Sequence, residues 1–248
     1  MSNRIGEFSY KTNIGNVRKT NEDAAIALIN ASGDVLLVVC DGMGGHNYGD
    51  IAASYAIDVL VREFKKHDKF LNLYETKAFL RKAIKKANKY IFNAATKNEK
   101  YKKMGTTISV ALIRRATLLV ANVGDSRVYL ANDKLVCLTE DDSYVNYLYQ
   151  MGKIDREEML THPKRHILTK ALGLTENINF DIDIHRYKNS RIMLCTDGLY
   201  TSLSEEEIIT ILNTSDSVEE RCELLLKTVN RNGGYDNSAV TVWEVSKK

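Results

Sequence analysis

Two apolar segments of the sequence each lead directly into an aspartate that is followed by glycine. Residues 35–40 precede Asp41, and residues 191–196 precede Asp197. Short continuous apolar runs predict strands buried on both faces, so each carboxyl group would be held firmly at a strand end. Two such ends could bring hard oxygen ligands together, which suits Mg²⁺ or Mn²⁺ rather than zinc. The alternative is a pair of ordinary Asp-Gly turns.

Three further acids lie in segments whose sequence is typical of loops and turns. Asp23 follows a polar segment, and Asp125 and Asp236 stand in glycine-containing turns. If these acids converge with Asp41 and Asp197, their mutual repulsion requires cations to offset it. Two metal ions about 4 Å apart, bridged by a carboxylate and a water, are the usual arrangement for hydrolysing phosphate esters. The acids therefore predict phosphate-ester hydrolysis at a two-metal site.

Arg18 lies in the same polar segment as Glu22 and Asp23. A guanidinium group can hold a phosphoryl group through two parallel hydrogen bonds, so Arg18 is a candidate phosphate ligand. The alternative is an ion pair with Glu22 or with an acid that is distant in sequence.

The elements that must position these residues follow from hydrophobic periodicity. The pattern predicts strands at 5–13, 24–29, 35–40, 106–113, 117–123, 127–131, 135–139, 178–186, 191–196 and 238–244, and helices at 49–66, 75–98, 143–151, 155–160, from Ser204 onward and at 217–231. This order is not a regular alternation of strand and helix. It favours an α+β fold in which antiparallel sheets are covered by helices on the outside.

Composition narrows the class of protein. The chain has 248 residues and a formal net charge of +3, so we expect one domain over 1–248 and no nucleic-acid partner. No apolar run approaches the ~20 residues of a membrane span, and the N-terminus lacks the apolar region of a signal peptide. The four scattered cysteines form no CxxC pair, which is typical of free thiols in a cytosolic protein. We therefore expect a soluble, cytoplasmic protein that does not bind membranes.

A set of motifs in a fixed order then resembles the metal-dependent PPM/PP2C-type serine/threonine protein phosphatases, in particular the compact bacterial ones. The resemblance extends from about residue 15 to residue 240. Any one of these motifs is weak, but together they are specific. They are Gly15-Asn16-Val17-Arg18-Lys19-Thr20-Asn21-Glu22-Asp23, Asp41-Gly42-Met43-Gly44-Gly45-His46, Met104-Gly105-Thr106-Thr107, Asn122-Val123-Gly124-Asp125-Ser126-Arg127, Leu138-Thr139-Glu140-Asp141, Leu168-Thr169-Lys170-Ala171-Leu172-Gly173, Thr196-Asp197-Gly198-Leu199 and Tyr235-Asp236-Asn237-Ser238.

The resemblance implies a four-layer α-β-β-α sandwich with two central, mainly antiparallel sheets flanked by helix pairs, and metal ions at one end between the sheets. It implies two core Mn²⁺ or Mg²⁺ ions and a third, weaker one. Residues 143–172 match a flap beside the site. The implied reaction is direct attack by metal-bound hydroxide on phosphoserine or phosphothreonine, without a phosphoenzyme intermediate.

The resemblance also implies a role for each site residue. Asp41 would bridge the two core ions, Gly42 would offer its carbonyl, and Asp197 and Asp236 would bind the second ion. Glu22 and Asp23 would hold metal-bound waters, Arg18 would clamp the phosphate, and Asp125 with Asp197 would form the third site. The catalytic residues are then Arg18, Asp41, Asp197 and Asp236.

Some positions depart from the family pattern. Met43 stands where animal members carry a histidine proposed as the general acid. His46 is a candidate substitute, with a structural histidine at a turn as the alternative. A metal-bound water could also protonate the leaving alkoxide. Asp142 and His166 replace residues that are often His and Asn, which bears on the flap and on substrate preference.

Other functions remain open beside the phosphatase. A phosphoprotein-binding regulator on the same fold would have lost ligands, and none is missing. A two-metal nuclease would need a nucleic-acid footprint, for which the basic helix at 75–103 is the only support. The family suggests phosphorylated protein substrates, an opposing serine/threonine kinase and a monomeric chain.

Overall fold

The computed structural model describes residues 6–44 and 48–246. Two antiparallel sheets form its centre. The strands are β1 (Gly6–Asn13), β2 (Asp23–Ile29), β3 (Val35–Met43), β4 (Gly105–Thr106), β5 (Ile108–Arg114), β6 (Thr117–Val123), β7 (Arg127–Ala131), β8 (Leu135–Cys137), β9 (Ile182–His185), β10 (Arg191–Cys195) and β11 (Ser238–Val245). The helices are α1 (Gly49–Phe64), α2 (Leu73–Lys97), α3 (Tyr144–Gln150), α4 (Arg156–Thr161), α5 (Asp197–Tyr200), α6 (Glu205–Leu212) and α7 (Val218–Arg231).

The strands divide into two sheets with helices on both outer faces. One sheet has the order β1-β11-β10-β7-β8, and the other has the order β2-β3-β5-β6-β9 with β4 beside β3. Helices α1 and α2 pack on each other and α1 covers β2 and β3, while α6 contacts α7, which covers β1 and β11. The predicted four-layer α+β arrangement is confirmed.

Strand β3 shows why its sheet must be covered on both faces, by helices on one side and by the second sheet on the other. Leu36, Val38 and Cys40 are buried in the apolar cluster beneath α1 and α2. Leu37 and Val39 are buried in the cluster between the two sheets. Successive side chains of a strand point to opposite faces, so a strand covered on both sides must be apolar at every position. The prediction of a doubly buried strand is correct.

Local sequence fixes where the outer helices begin. Asn72 accepts a hydrogen bond from the Glu75 amide at the start of α2. Ser204 and Ser217 each form a capping box, at the start of α6 and α7 respectively. A side-chain oxygen at this position satisfies an amide that has no partner within the helix. The predicted cap at Ser204 is therefore confirmed.

Several element boundaries differ from the sequence-based prediction, and three of these differences have a clear structural cause. Strand β3 continues through Asp41 to Met43 because β4 pairs with its end. Strand β9 is shorter than the predicted 178–186, since it is an edge strand that pairs only with β6, along Leu118–Ala121. Asp197 does not end a strand but opens the helical turn α5.

Residues 143–172, which we call the flap, leave the sheet after β8 and carry α3 and α4. Two isolated β-bridges join the base of the flap to itself and to the body, Ser143 with Leu168 and Thr106 with Leu172. The interpretation of one domain with a flap stays a prediction. No helix in the described ranges combines the length and the apolar character required to cross a membrane.

Candidate metal centre

Strand pairing places two acids side by side at one end of the sandwich. Asp23 in β2 and Asp41 in β3 are direct cross-strand partners. Cross-strand partners share a face, and the two-residue period puts Asp41 on the same face as Leu37 and Val39. Both carboxyl groups therefore belong to the space between the sheets, at the end where the apolar cluster stops.

Thr196 connects the two sheets at this end. Its hydroxyl group donates a hydrogen bond of 2.6 Å to Asp23 Oδ2. The Thr196 hydroxyl oxygen also accepts a hydrogen bond of 2.8 Å from the backbone amide of Ala239 in β11. Thr196 is fully buried, and it follows β10, so one side chain links the Asp23 carboxyl group to the opposite sheet.

The backbone of Asp41 is fixed by two threonines. Its amide donates to the Thr107 hydroxyl at 2.9 Å, and its carbonyl accepts from the Thr107 amide at 2.8 Å and the Thr106 hydroxyl at 2.9 Å. The Thr107 hydroxyl also contacts the Ser126 hydroxyl at 2.7 Å. A carboxylate on so constrained a backbone cannot move far from its neighbours.

Each glycine that follows a site acid lies where a side chain cannot fit. A Cβ atom at Gly42 would lie 2.2 Å from the carbonyl oxygen of Gly49, and one at Gly198 would lie 1.9 Å from that of Asn237. Both distances are far below van der Waals contact. The Asp-Gly pairs therefore reflect close backbone packing around the site rather than the turns of the alternative interpretation.

The polar segment before β2 wraps around the same end. Asn237 donates to the carbonyls of Ile14 and Thr20 at 2.9 and 3.0 Å, and its side-chain oxygen accepts from the Glu22 amide at 2.9 Å. The Glu22 carboxylate in turn accepts from the Gly49 amide at 3.0 Å, at the first residue of α1. The positive end of a helix stabilises a carboxylate there.

The predicted residues gather around one cavity of about 360 Å³. The cavity is lined by Arg18, Glu22, Asp41, Gly42, Met43, Gly44, Asp125, His166, Leu168, Asp197, Asp236 and Asn237. Asp23 is the one predicted site residue that does not line it; Asp23 is buried and is the cross-strand partner of Asp41. His46, a candidate proton donor from the sequence, lies outside the described residues.

Arg18 occupies the mouth of this cavity. Its Nη2 donates a 2.7 Å hydrogen bond to Asp236 Oδ2, in a half-exposed ion pair. The sequence left open an ion pair with a distant acid, and the structure has this pair. Because both partners line the cavity, the guanidinium group nevertheless lies next to the carboxylates.

Asp125 is held from the flap side by a chain of contacts. Tyr200 donates to the Asp125 carbonyl at 3.0 Å, and the Arg127 guanidinium lies 3.8 Å from the centre of the Tyr200 ring. Arg127 also makes two hydrogen bonds to Asp141, of 3.0 and 2.7 Å. Asn146 of α3 donates to the Asp141 carbonyl at 2.8 Å. The flap and Asp125 are thus in continuous contact.

Burial and crowding raise the pKa values of Asp41, Asp125 and Asp197. Burial, and then the charges of nearby carboxylates, raise the pKa of Asp41 well above its usual range. Burial and the charge of Asp197 raise the pKa of Asp125 to about 7. The Asp197 carboxyl lies within hydrogen-bonding reach of Asp41, and burial and then Asp236 raise the pKa of Asp197. Such a cluster favours either protons or cations at its centre.

The donor chemistry fits hard divalent cations. Carboxylate and backbone oxygens line the cavity, and none of the described residues in its wall is a cysteine. Within residues 6–44 and 48–246, however, no group of three or more His, Cys, Asp or Glu side chains is gathered closely enough to hold an ion as it stands. Oxygen ligands of this kind are those that Mg²⁺ and Mn²⁺ prefer.

Comparison with known proteins identifies the family. The model of the family described as protein phosphatase 2C matches residues 16–237. The chain belongs to the protein phosphatase 2C family. The protein is 35% identical to the serine/threonine phosphatase stp of Listeria welshimeri, over 95% of this chain and 94% of that one. The expectation of a protein phosphatase of this family is confirmed.

Solved structures agree with this membership. The serine/threonine phosphatase Stp1 of Staphylococcus aureus superimposes with a TM-score of 0.92 at 33% identity, covering 99% of this chain and 97% of that one. The catalytic domain of the serine/threonine phosphatase PstP, solved in complex with two manganese ions, gives a TM-score of 0.85 at 30% identity and covers 98% and 99%.

Sequence reasoning missed several residues that shape the site of this phosphatase 2C family member. Thr196 and Asn237 were quoted in motifs but given no role, although each is adjacent to a predicted ligand. Thr107 lies in the Met-Gly-Thr-Thr motif without a titratable group to draw attention. In the sequence, these three residues are recognisable only as uncharged polar side chains next to an apolar strand, so a prediction based on acids alone does not include them.

Replacing Thr196 with valine should destabilise the fold without changing side-chain volume. The variant leaves Asp23 Oδ2 and the Ala239 amide unpaired in the interior, which we expect to cost about 2–4 kcal/mol of unfolding free energy. Urea unfolding of the metal-free protein measures this difference. Thr96→Val, on the exposed face of α2, is the control and should stay within about 0.5 kcal/mol of the wild type. Equal stability of both variants would show that the Thr196 link is unimportant.

Proposed function

We propose that the protein hydrolyses phosphoserine and phosphothreonine on proteins, at a centre of two Mn²⁺ or Mg²⁺ ions. One observation carries this proposal. Acids from both sheets and the guanidinium of Arg18 line the same cavity in a member of the protein phosphatase 2C family. The manganese-bound PstP structure supports the choice of metal.

Each residue would contribute in a distinct way. Asp41, whose backbone is held by Thr106 and Thr107, would be a ligand of both core ions, and Gly42 would contribute its carbonyl. Asp197 and Asp236 would complete the ligands of the second ion, and Glu22 and Asp23 would orient water. Asp125 with Asp197 would hold a third ion more weakly. When bound, the ions would make hydroxide available near neutral pH and offset the charge of the phosphate.

Arg18 would exchange partners when substrate binds. In the structure its guanidinium donates to Asp236, at the cavity mouth. A phosphoryl group entering the cavity offers several oxygens and more negative charge than one carboxylate, so it would attract the same guanidinium bidentately. Arg18 would thereby orient the phosphorus atom toward the water held by the acids.

The surroundings of the cavity suit a protein substrate. A groove of about 810 Å³ adjoins the cavity between the flap and the body, and shares Arg18, Asp125, Asp197 and Asp236 with it. The groove is also lined by Arg127, Val145, Met159, Leu160, Arg165, Tyr200 and Tyr235. Apolar, aromatic and basic side chains together can receive a peptide chain around its phosphorylated residue.

The proposal extends to the setting of the enzyme. A serine/threonine protein kinase would supply the phosphorylated proteins, and the enzyme would act as a monomer in the cytoplasm. The related bacterial serine/threonine phosphatases support the part of this proposal that concerns phosphorylated protein substrates. Comparison of the phosphoproteome with and without the gene would identify the substrates.

Phosphate release from phosphoserine and phosphothreonine peptides tests the proposed function. We expect turnover with Mn²⁺, none with excess EDTA, and a strong loss in Asp197→Asn. Asp183→Asn removes an exposed acid on the edge strand β9 and serves as a charge-matched control that should keep full activity. Turnover that persists in EDTA and in Asp197→Asn would contradict the metal mechanism. Tight peptide binding without phosphate release would favour a phosphoprotein-binding regulator instead.

A further inference from the structure

His166 lies where the acid-lined cavity adjoins the groove between the flap and the body. Its side chain lines both, together with Arg18, Asp125, Asp197 and Asp236. Among the described residues that line the cavity, His166 is the only histidine.

The flap segment around His166 is anchored although the ring itself is exposed. The carbonyl of Ile167 accepts from the Tyr144 amide at 2.8 Å, and the Ile167 amide donates to the Lys164 carbonyl at 3.1 Å. Leu168 forms the β-bridge with Ser143. These bonds fix the backbone directly after His166, at the position from which its side chain lines the cavity.

The reaction needs a proton donor that the other lining residues do not supply. The leaving oxygen of a serine or threonine is strongly basic and must gain a proton as its bond to phosphorus breaks. A guanidinium group does not release its proton, and the carboxylates are required as ligands. Met43 carries no proton to give. An imidazole changes its charge near neutral pH and can fill this role.

We propose that His166 donates the proton to the leaving oxygen of the phosphorylated side chain. The inference rests on the proposed function and names a catalytic residue within it. A water oxygen forms the new bond to phosphorus and gives up a proton to solvent. The bond from phosphorus to the substrate oxygen breaks, its electron pair stays on that oxygen, and the His166 proton completes the hydroxyl group. His166 then regains a proton from solvent.

A comparison of leaving groups tests this role. p-Nitrophenolate is a weak base that departs without a proton, whereas a serine alkoxide does not. For His166→Asn we expect the single-turnover rate on a phosphoserine peptide to fall about 100-fold. We expect the rate on p-nitrophenyl phosphate to change less than about threefold, because proton donation matters little there. The ratio of the two rates is the diagnostic quantity.

His162→Asn is the matched control. His162 is another flap histidine, whose Nδ1 accepts from the Lys164 amide at 3.1 Å and which does not line the cavity. The His162→Asn variant should leave the ratio of the peptide rate to the p-nitrophenyl phosphate rate unchanged. An equal loss on both substrates in His166→Asn, or no loss on the peptide, would overturn the role of His166 while leaving the phosphatase intact. A wild-type protein inactive on both substrates would instead overturn the proposed function.

Discussion

Asp41→Asn should lower the rate of phosphopeptide hydrolysis by about a thousandfold, because it removes a carboxylate that we propose as a ligand of the core metal ions. The same change should stabilise the metal-free protein. Burial and neighbouring carboxylates raise the pKa of Asp41, so its charged form opposes folding. An amide of nearly the same shape carries no charge. We expect the melting temperature in EDTA at pH 8 to rise by at least about 2–4 °C.

The sign of this effect depends on pH. An acid whose pKa is raised in the folded protein contributes stability at low pH and loses it as pH rises through the folded-state pKa. The advantage of Asp41→Asn should therefore be small near pH 4 and larger at pH 8. Thermal unfolding at both pH values measures it, with Asp183→Asn as the control that should show little change. An asparagine variant less stable than the wild type at pH 8 would contradict the crowded-carboxylate account.

Mn²⁺ should raise the melting temperature of the wild-type protein by roughly 5–10 °C at a concentration 100 times its dissociation constant. Binding to the folded state alone contributes about 2.7 kcal/mol under that condition. The proposed ligands are acids crowded around one cavity, so the gain should accompany loss of the mutual repulsion among them. Removing the metal with EDTA should reverse the shift and stop phosphate release together.

Differential scanning calorimetry with and without Mn²⁺ measures this stabilisation. Asp41→Asn provides the internal control, since it keeps the fold but should lose most of the shift. Asp183→Asn should show the full shift. If Mn²⁺ raised the melting temperature of Asp41→Asn as much as that of the wild type, the stabilising ion would bind elsewhere.

The sequence was sufficient to predict the central strands and most of the acids that line the cavity. Residues 35–40 read as a doubly buried strand because every position must face an apolar layer, and β3 has this environment. It was not sufficient for the pairing of Asp23 with Asp41. That pairing depends on register, and a slip of one residue would turn Asp23 toward the helices. The apolar pattern of β2 and β3 does not by itself determine which residues of the two strands pair.

Contacts between segments that are distant along the chain could not be predicted from the sequence for a similar reason. Thr196 acts through Asp23 and Ala239, which are far from it along the chain, so no local pattern reveals the link. The turn α5 is only four residues long, too short to show helical periodicity. His166 was noted as a departure from the family, but only the folded flap places it in the lining of the same cavity as Asp197.

The anchoring of the flap has an evolutionary consequence. Its base is tied to the body at the bridge between Thr106 and Leu172, and the Asp142 amide donates to the Gly124 carbonyl at 2.9 Å. Between these ties, across residues 144–167, Val145 is the only buried side chain. Substitutions in that stretch cost the core little, so the surface that meets the substrate can diversify while the cavity acids stay in place.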